Sequence, residues 1–210
     1  MMRLFKLKDP KLMIPFHLLW CALPIYFADY PISAAYFLLG VVYANWMEYY
    51  NHIIIFHTLP HWFTGTKDSQ LYFVMHGHHH KYPRKNPITP LPQTLFLYVI
   101  SAALFRVASP ARHLNILAGG AVGFLIFELT HIFIHAAERD DTTLNWFRPL
   151  IEFHLTHHAD PNVAYGFTSP FWDWLFGKLP PKRKYAWDII PVPLPWISFF
   201  LSKFAHEYLH

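Results

Sequence analysis

Residues Leu114–Ile134 read LNILAGGAVGFLIFELTHIFI, an apolar run that carries one carboxylate, Glu128, and one histidine, His131. A helix that crosses the hydrocarbon core of a bilayer takes about 20 such residues. Glu128, His131 and the following His135 stand three and four positions apart, so they share one face of this helix. The stretch therefore predicts a membrane helix with a potentially metal-binding end.

Three other apolar stretches have a similar length: Leu12–Ala28, Ile32–Tyr50 and Leu91–Val107. The first pair is joined by Asp29-Tyr30-Pro31 and the second pair by residues 109–113, so each pair can cross the bilayer and return. We therefore expect an all-α integral membrane protein with four transmembrane helices in two hairpins, at about residues 12–50 and 91–135. A soluble bundle with buried core helices is the alternative.

The composition favours the membrane protein. The chain has 210 residues, which fits one domain, and 14% of them are charged, against about a quarter in a soluble protein. Hydrophobic residues make up 54%, the mean hydropathy is +0.19, and eight Trp suit a membrane interface. The single cysteine, Cys21, excludes an intrachain disulfide. The net charge of +4 accompanies no nucleic-acid recognition motif, so we expect contact with anionic lipids and no nucleic-acid partner.

Lysine and arginine predict the orientation, because they are enriched on the cytoplasmic side of membrane proteins. They precede the first helix, separate the hairpins and populate the C-terminal third, whereas only Arg106 and Arg112 lie at or near a hairpin turn, the second one. Both termini and a helical cap of residues 51–90 and 136–188 are therefore expected in the cytoplasm, at the endoplasmic reticulum of a eukaryote or the inner membrane of a bacterium. Three prolines make residues 189–210 too kinked to span, which predicts a C-terminal interfacial segment.

Ten of the sixteen histidines fall into four clusters with regular spacing: His52-x4-His57, His76-x2-His79-His80, His131-x3-His135 and His154-x2-His157-His158. Neutral imidazole is the commonest protein ligand for iron, zinc and copper. The interval from His57 to His76 equals that from His135 to His154, so the chain presents the same layout twice. We therefore predict two metal ions that share one cytoplasmic site, with these ten histidines as ligands.

The remaining histidines stand outside this pattern. Comparison of the two H-x2-HH clusters leaves His78 out of the ligand set. Five others stand outside the four clusters and are expected to be interfacial or solvated: His17, His61, His113, His206 and His210.

Two glutamates accompany the clusters. Glu48 and Glu128 share a helix face with His52 and His131, so we expect their carboxylates to accept the N–H of ligand imidazoles or to act as outer ligands. Alternatively, each carboxylate simply reaches water at the membrane interface. His52 and His57 differ by about 140° on an ideal helix, so the helix should end or distort between them if both bind metal.

The ligand count favours one kind of chemistry. Nitrogen-rich sites prefer iron, zinc or copper to magnesium or calcium. Zinc hydrolases usually combine fewer histidines with a carboxylate and a water molecule, whereas eight or more neutral ligands around two metals suit oxygen activation. The sequence also contains no G-x-S-x-G motif.

Several motifs surround the histidines: Trp46-Met-Glu48-Tyr49, His76-Gly-His78-His79-His80-Lys81 with Pro90-Leu-Pro92, Glu128-Leu-Thr-His131, and Tyr165-Gly-Phe-Thr-Ser169 with Trp172-Asp173-x2-Phe176-Gly177. With them, the segment from Trp46 to Gly177 resembles the fatty acid hydroxylase superfamily of membrane di-iron oxygenases, of the sterol desaturase/fatty acid hydroxylase type. The His-Gly-x-His-His-Lys element and the Gly-Phe-Thr-Ser, Trp-Asp and Phe-Gly elements resemble the fatty acid 2-hydroxylase branch in particular.

The resemblance implies a function. It implies hydroxylation of a lipid acyl chain at C2, with two iron ions, O2 and two electrons; zinc can replace iron in isolated protein. Some family members begin with a cytochrome b5 domain, whereas this chain starts close to its first helix, so we expect a separate electron donor of cytochrome b5 or ferredoxin type. Residues Tyr82–Thr89 depart from the family pattern and Glu128 replaces an aspartate, which leaves the head group of the substrate open.

Other activities fit the same residues. A lipid desaturase and a sterol or carotenoid oxidase use similar histidine boxes, and a zinc-binding membrane protein or a non-catalytic homologue would also retain histidines. Aromatic residues that could line an acyl entrance or cover the metals are Tyr49, Tyr82, Phe153, Phe167, Phe171 and Trp172.

Overall fold

The structure, a computed structural model, describes residues 10–28, 33–65, 72–83, 89, 91–137 and 148–181. All regular secondary structure in these residues is helical, as the sequence predicts. The chain divides into two compact units, Met1–Ile132 and Phe133–His210. The predicted turn at 29–31 and the predicted interfacial segment 189–210 lie outside the described residues.

Four long helices coincide with the four apolar stretches. They are α1 (Pro10–Phe27), α2 (Ala34–Asn51), α5 (Leu91–Ala108) and α6 (His113–Ala137), and α6 contains the boundary between the units. By length and hydropathy, α6 is the one helix among the described residues that could cross a membrane, and α1 and α5 are apolar but shorter. The helices are thus confirmed, whereas four membrane crossings in two hairpins remain a prediction.

Shorter helices carry most of the histidines. In the first unit these are a π-helix at His52–Thr58, α3 (Leu59–Thr64), a second π-helix at Phe73–Gly77 and α4 (His78–Lys81). In the second unit they are α7 (Arg148–Ala159) and α8 (Phe171–Leu175). A core of five buried residues supports the second unit: Ile134, Leu150, Ile151, Phe153 and Ala164.

Backbone contact between α2 and α6 fixes the first unit. A Cβ atom added at Gly40 would overlap the carbonyl oxygen of Ile116, and one added at Gly119 would overlap that of Phe37. Two helices can approach this closely only where one side chain is missing at each crossing point. The contact sets the axial position of α2 against α6, and so the level at which α2 passes into the segment that begins with His52.

Polar side chains add fixed points to this packing. The amide of Ser33 donates to Asn115 Oδ1 at 3.0 Å and ties the start of α2 to the start of α6. The hydroxyl groups of Tyr43 and Ser101 lie 3.0 Å apart and connect α2 with α5. Each bond satisfies polar atoms that would otherwise face apolar surroundings.

His17 corrects one prediction. Its side chain is 1% exposed rather than interfacial, because α1 packs against α5 and places Nδ1 3.2 Å from the hydroxyl of Tyr98. The rings of Trp20 and Tyr98 stack beside it at 4.7 Å. His61 and His113 are partly exposed, in line with the prediction, and His206 and His210 lie outside the described residues.

A pair of glycine substitutions tests the α2–α6 contact. Gly119→Ala should lower the thermal unfolding midpoint of the purified protein, because its methyl group meets the backbone of Phe37 and overpacking costs about 1–3 kcal/mol. Gly120→Ala is the matched control, since its added Cβ would lie 3.7 Å from the nearest atom, the carbonyl oxygen of Gly40. Equal midpoints for the two variants would contradict the contact.

Candidate metal centre

A π-helix brings His52 and His57 together. Residues His52–Thr58 form this wider helix, in which backbone hydrogen bonds join residues five positions apart. His52 and His57 therefore lie near one side, with ring centroids 5.1 Å apart, instead of diverging as they would on an α-helix. The predicted distortion between these two histidines is confirmed.

The first unit gathers four imidazoles. The potential ligand atoms of His52, His57, His76 and His80 all lie within 4.8 Å of one another, and we call this group the four-histidine cluster. The Nε2 atoms of His52 and His76 are 3.0 Å apart. The second π-helix carries His76 and α4 carries His80, so three short helical segments converge on one point.

The electrostatics of this cluster favour neutral rings. Burial lowers the pKa of His76 well below its usual value, and the neighbouring His80, His52, His57 and His79 lower it further. A neutral imidazole has one N–H and one lone pair, so four of them bring several lone pairs to the same small volume. A divalent cation of the iron, zinc or copper type accepts such lone pairs, and the donor set therefore fits the predicted metals.

The first unit also contains a separate pair of histidines. His79 and His131 are buried, and their Nε2 atoms lie 3.1 Å apart. The ring of His131 also stacks on Phe127, at 6.0 Å between centroids. The structure thus brings His131 to His79, and His131 does not belong to the four-histidine cluster.

The two predicted glutamates are buried. Glu48 is 5% exposed and Glu128 1%, which rules out the alternative that they simply reach water. Both oxygens of Glu128 accept from the amide of Thr89, at 3.2 and 3.3 Å. Glu128 thus holds the backbone of Thr89, a role that its spacing from His131 did not indicate.

The second unit gathers three further imidazoles. His154 is fully buried, and its Nε2 atom lies 2.9 Å from that of His135 and 3.0 Å from that of His158. Together, His135, His154 and His158 form the three-histidine cluster. The ring of Phe167 packs on His154 at 4.6 Å, so this one of the six aromatic candidates covers a predicted ligand directly.

His157 has a defined tautomer. Its Nδ1 atom lies 2.8 Å from the carbonyl oxygen of Val163, and because a carbonyl can only accept, Nδ1 carries the proton. The lone pair of a neutral His157 is therefore on Nε2, the atom left for a metal. Such a hydrogen bond also fixes the orientation of the ring.

Asp173 holds the loop that makes this bond. Its side chain is fully buried, and its two oxygens accept the amides of Tyr165 and Gly166, each at 2.8 Å. The amide of Ala164, which has a positive φ of 55°, donates to the carbonyl of Lys178 at 2.9 Å. Burial, and after it the nearby Asp173, raises the pKa of Tyr165, whose ring lies on His157. We call the two hydrogen bonds from the amides of Tyr165 and Gly166 to the carboxylate of Asp173 the Asp173 clamp.

The sequence contains the residues of the Asp173 clamp but does not reveal their contacts. The Tyr-Gly-Phe-Thr-Ser and Trp-Asp elements indicated a family, but their spacing alone does not reveal that one carboxylate bridges two successive amides. His78, which the repeat excludes from the ligand set, packs instead between the rings of Phe73 and Tyr82, at 5.4 and 5.1 Å. Its exclusion remains a prediction.

Comparisons with known proteins all indicate the same family. Residues 37–178 match the fatty acid hydroxylase family. The chain is 31% identical over 147 residues to a dihydroceramide fatty acyl 2-hydroxylase of Arabidopsis thaliana (67% of this chain, 59% of that protein). It is 32% identical over 181 residues to the ceramide very long chain fatty acid hydroxylase scs7 of Schizosaccharomyces pombe (81% and 51%), and 28% identical over 155 residues to a human fatty acid 2-hydroxylase (70% and 40%).

A solved structure is similar in fold. It is that of full-length scs7p, in which only the hydroxylase domain is visible, with a TM-score of 0.64 and 24% identity over 83% of this chain and 66% of that one. The match supports the all-helical architecture. The chain spans between 40 and 59% of the length of the three curated relatives.

The Asp173 clamp makes a testable prediction. In Asp173→Asn, one side-chain amide group must face a backbone N–H, so at least one of the two bonds is lost at a cost of about 1–3 kcal/mol. Hydrogen exchange at Tyr165 and Gly166 should accelerate, as measured by mass spectrometry. Asp160→Asn is the control, because the side chain of Asp160 is exposed and accepts hydrogen bonds from Asn162 within its own turn. Unchanged exchange in Asp173→Asn would refute the clamp.

Proposed function

This chain belongs to the fatty acid hydroxylase family, and on that premise we propose that it hydroxylates a lipid acyl chain at C2 of a fatty acid or fatty-acyl lipid. The observation that carries the proposal is the presence of two groups of converging imidazoles, most of them buried, in a member of this family. The names of the relatives, which are 2-hydroxylases and ceramide fatty acid hydroxylases, support the position on the acyl chain.

We propose that the ten clustered histidines bind two iron ions. Iron supplies the chemistry that neither imidazole nor carboxylate can perform, the use of O2 and two electrons to replace an unactivated C–H bond by C–OH. The overall reaction also consumes two protons, and the second oxygen atom leaves as water. Zinc competes well for imidazole nitrogen and can occupy the same ligands in isolated protein.

The protein contributes neutral ligands held in fixed orientations. Low pKa values keep imidazole lone pairs available, as burial and neighbouring rings do for His76. The carbonyl of Val163 orients His157, and the Asp173 clamp supports the loop that carries this carbonyl. Seven of the ten proposed ligands are buried, and this burial limits the access of water to the reacting groups.

We further propose that the chain is an integral membrane protein with both termini and the histidines in the cytoplasm. Large apolar side chains on α1, α2 and α5 are more than half exposed, among them Leu19, Leu38 and Phe96. Such contiguous apolar faces are unfavourable in water and suit lipid. The electrons are proposed to come from a protein donor of cytochrome b5 or ferredoxin type.

Metal content tests the cofactor. The purified full chain should contain two metal ions per molecule by elemental analysis. His76→Ala should lower this content, because it removes the ring that contacts His52 and lies 4.6 Å from His80 between centroids. His61→Ala is the control, since that ring stacks on Tyr72 and lies outside the four-histidine cluster. One metal or none in folded protein would contradict the two-iron proposal.

Product analysis tests the reaction. Cells that express the chain with a matched reductase should accumulate lipids heavier by one oxygen, with the hydroxyl at C2 of the acyl chain. His79→Ala and His157→Ala should abolish the product, because each removes a proposed ligand that nothing else at that position replaces. His78→Ala should keep most of it. A double bond in place of the hydroxyl would identify a desaturase, and equal loss in all three variants would refute the ligand set.

A further inference from the structure

The first unit contains a small cavity between α2, α5 and α6, which none of the clustered histidines lines. Its volume is about 30 Å³, and one water molecule needs about 10–15 Å³ of such space. Small residues create the space, among them Ala44 on α2 and Gly120 and Ala121 on α6. The cavity therefore holds a molecule of one or two heavy atoms, and we call it the inter-helix pocket.

The walls of the inter-helix pocket favour an apolar occupant over water. Their surface is almost entirely carbon. The hydroxyl groups of Tyr43 and Ser101 bond to each other at 3.0 Å, and that of Tyr98 lies 3.2 Å from Nδ1 of His17. Among the described residues, no side chain of the lining has a buried polar atom without a hydrogen-bond partner. Buried water takes two to four polar partners, whereas apolar cavities stay dry and bind apolar species such as xenon.

The lining of the inter-helix pocket has an outer and an inner part. The outer part includes Met47 and Leu97, which are partly exposed, and Leu97 follows Phe96, whose side chain is 59% exposed on the surface proposed to face lipid. The inner part includes Asn51, which is buried and immediately precedes His52 of the four-histidine cluster. The lining thus extends from apolar side chains near the proposed lipid contact to the residue before a proposed ligand.

We propose that the inter-helix pocket binds dioxygen and holds it beside the segment that carries the four-histidine cluster. The assignment rests on the proposed function, which makes O2 the co-substrate. Dioxygen has no permanent dipole and is only slightly larger than water, so it enters a carbon-lined pocket of this size without giving up hydrogen bonds. Water loses its hydrogen bonds on the same transfer, which is costly. The pocket therefore discriminates between the co-substrate and the solvent.

Dioxygen is paramagnetic, so it reports its own position by broadening nearby methyl resonances in NMR spectra. The purified full chain, with ¹³C-labelled alanine methyl groups and kept free of paramagnetic metal, is equilibrated under oxygen or nitrogen pressure. The methyl signals of Ala44 and Ala121 should broaden under oxygen far more than that of Ala164, the control, which is fully buried in the core of the second unit. Equal broadening of the three signals would overturn the assignment.

Variants of the walls change the space in opposite directions. Gly120→Ala adds one methyl group at a wall position where the nearest atom would be 3.7 Å away, so the chain tolerates it, and the oxygen-induced broadening at Ala121 should be lost. Ala103→Leu, on the exposed face of α5, is the control and should keep the broadening. Leu117→Ala enlarges the pocket and should increase the broadening, which gives a second test if Gly120→Ala fails to fold. The same broadening in the Gly120 and Leu117 variants as in the unmodified chain would refute the proposal.

Oxygen dependence of the reaction separates the pocket from the proposed function. With the holoenzyme and a matched reductase, Gly120→Ala should raise the KM for O2 in product formation relative to Ala103→Leu. The NMR measurement needs neither iron nor reductant, so selective broadening at Ala44 and Ala121 without any hydroxylated product would support the pocket and contradict the proposed function. Hydroxylation with the same KM for O2 in both variants, and no selective broadening, would do the reverse.

Discussion

The burial of neutral imidazoles in contact with one another is the constraint on which the rest of this protein depends. A protonated histidine in the four-histidine cluster would place a positive charge, out of water, beside rings that cannot neutralise it. His76 illustrates the result, since burial and four neighbouring histidines all lower its pKa. The cluster therefore holds lone pairs ready for a cation, and the surrounding helices must supply the geometry that keeps them together.

That geometry is prepared far from the histidines. Backbone contact at Gly40 and Gly119 fixes the height of α2 against α6 in the first unit, so the segment that starts at His52 begins at a defined level. In the second unit, the Asp173 clamp holds the loop that carries the carbonyl of Val163, and this carbonyl orients the ring of His157. Backbone groups thus contribute in both units, through the close approach of α2 to α6 in the first and through the carbonyl that orients His157 in the second.

Much of the fold and of the candidate site could be predicted from the sequence. Four apolar stretches gave four long helices because length and hydropathy act locally, and histidine spacing gave the clusters because helix geometry is regular. The exposure of His17 was predicted wrongly, because the sequence around a lone histidine in an apolar run does not show that a tyrosine 81 positions away will contact it. The hydrogen bonds of Glu128 and Asp173 could not be predicted for the same reason, since the sequence does not show which backbone amide a buried carboxylate will accept.

The π-helix at His52–Thr58 matches the spacing of its two histidines. Four residues separate His52 from His57, whereas two side chains on the same side of an α-helix are separated by two or three, so the spacing indicates the wider turn. The wider turn and the spacing belong together, because an α-helix brings two rings to one side only when two or three residues separate them. Removal of one isoleucine from Ile53, Ile54 or Ile55 should therefore convert this turn to an ordinary α-helix without separating the two rings. A pattern search that fixes the gap at four residues would miss a chain in which the shorter spacing and the α-helix occur together.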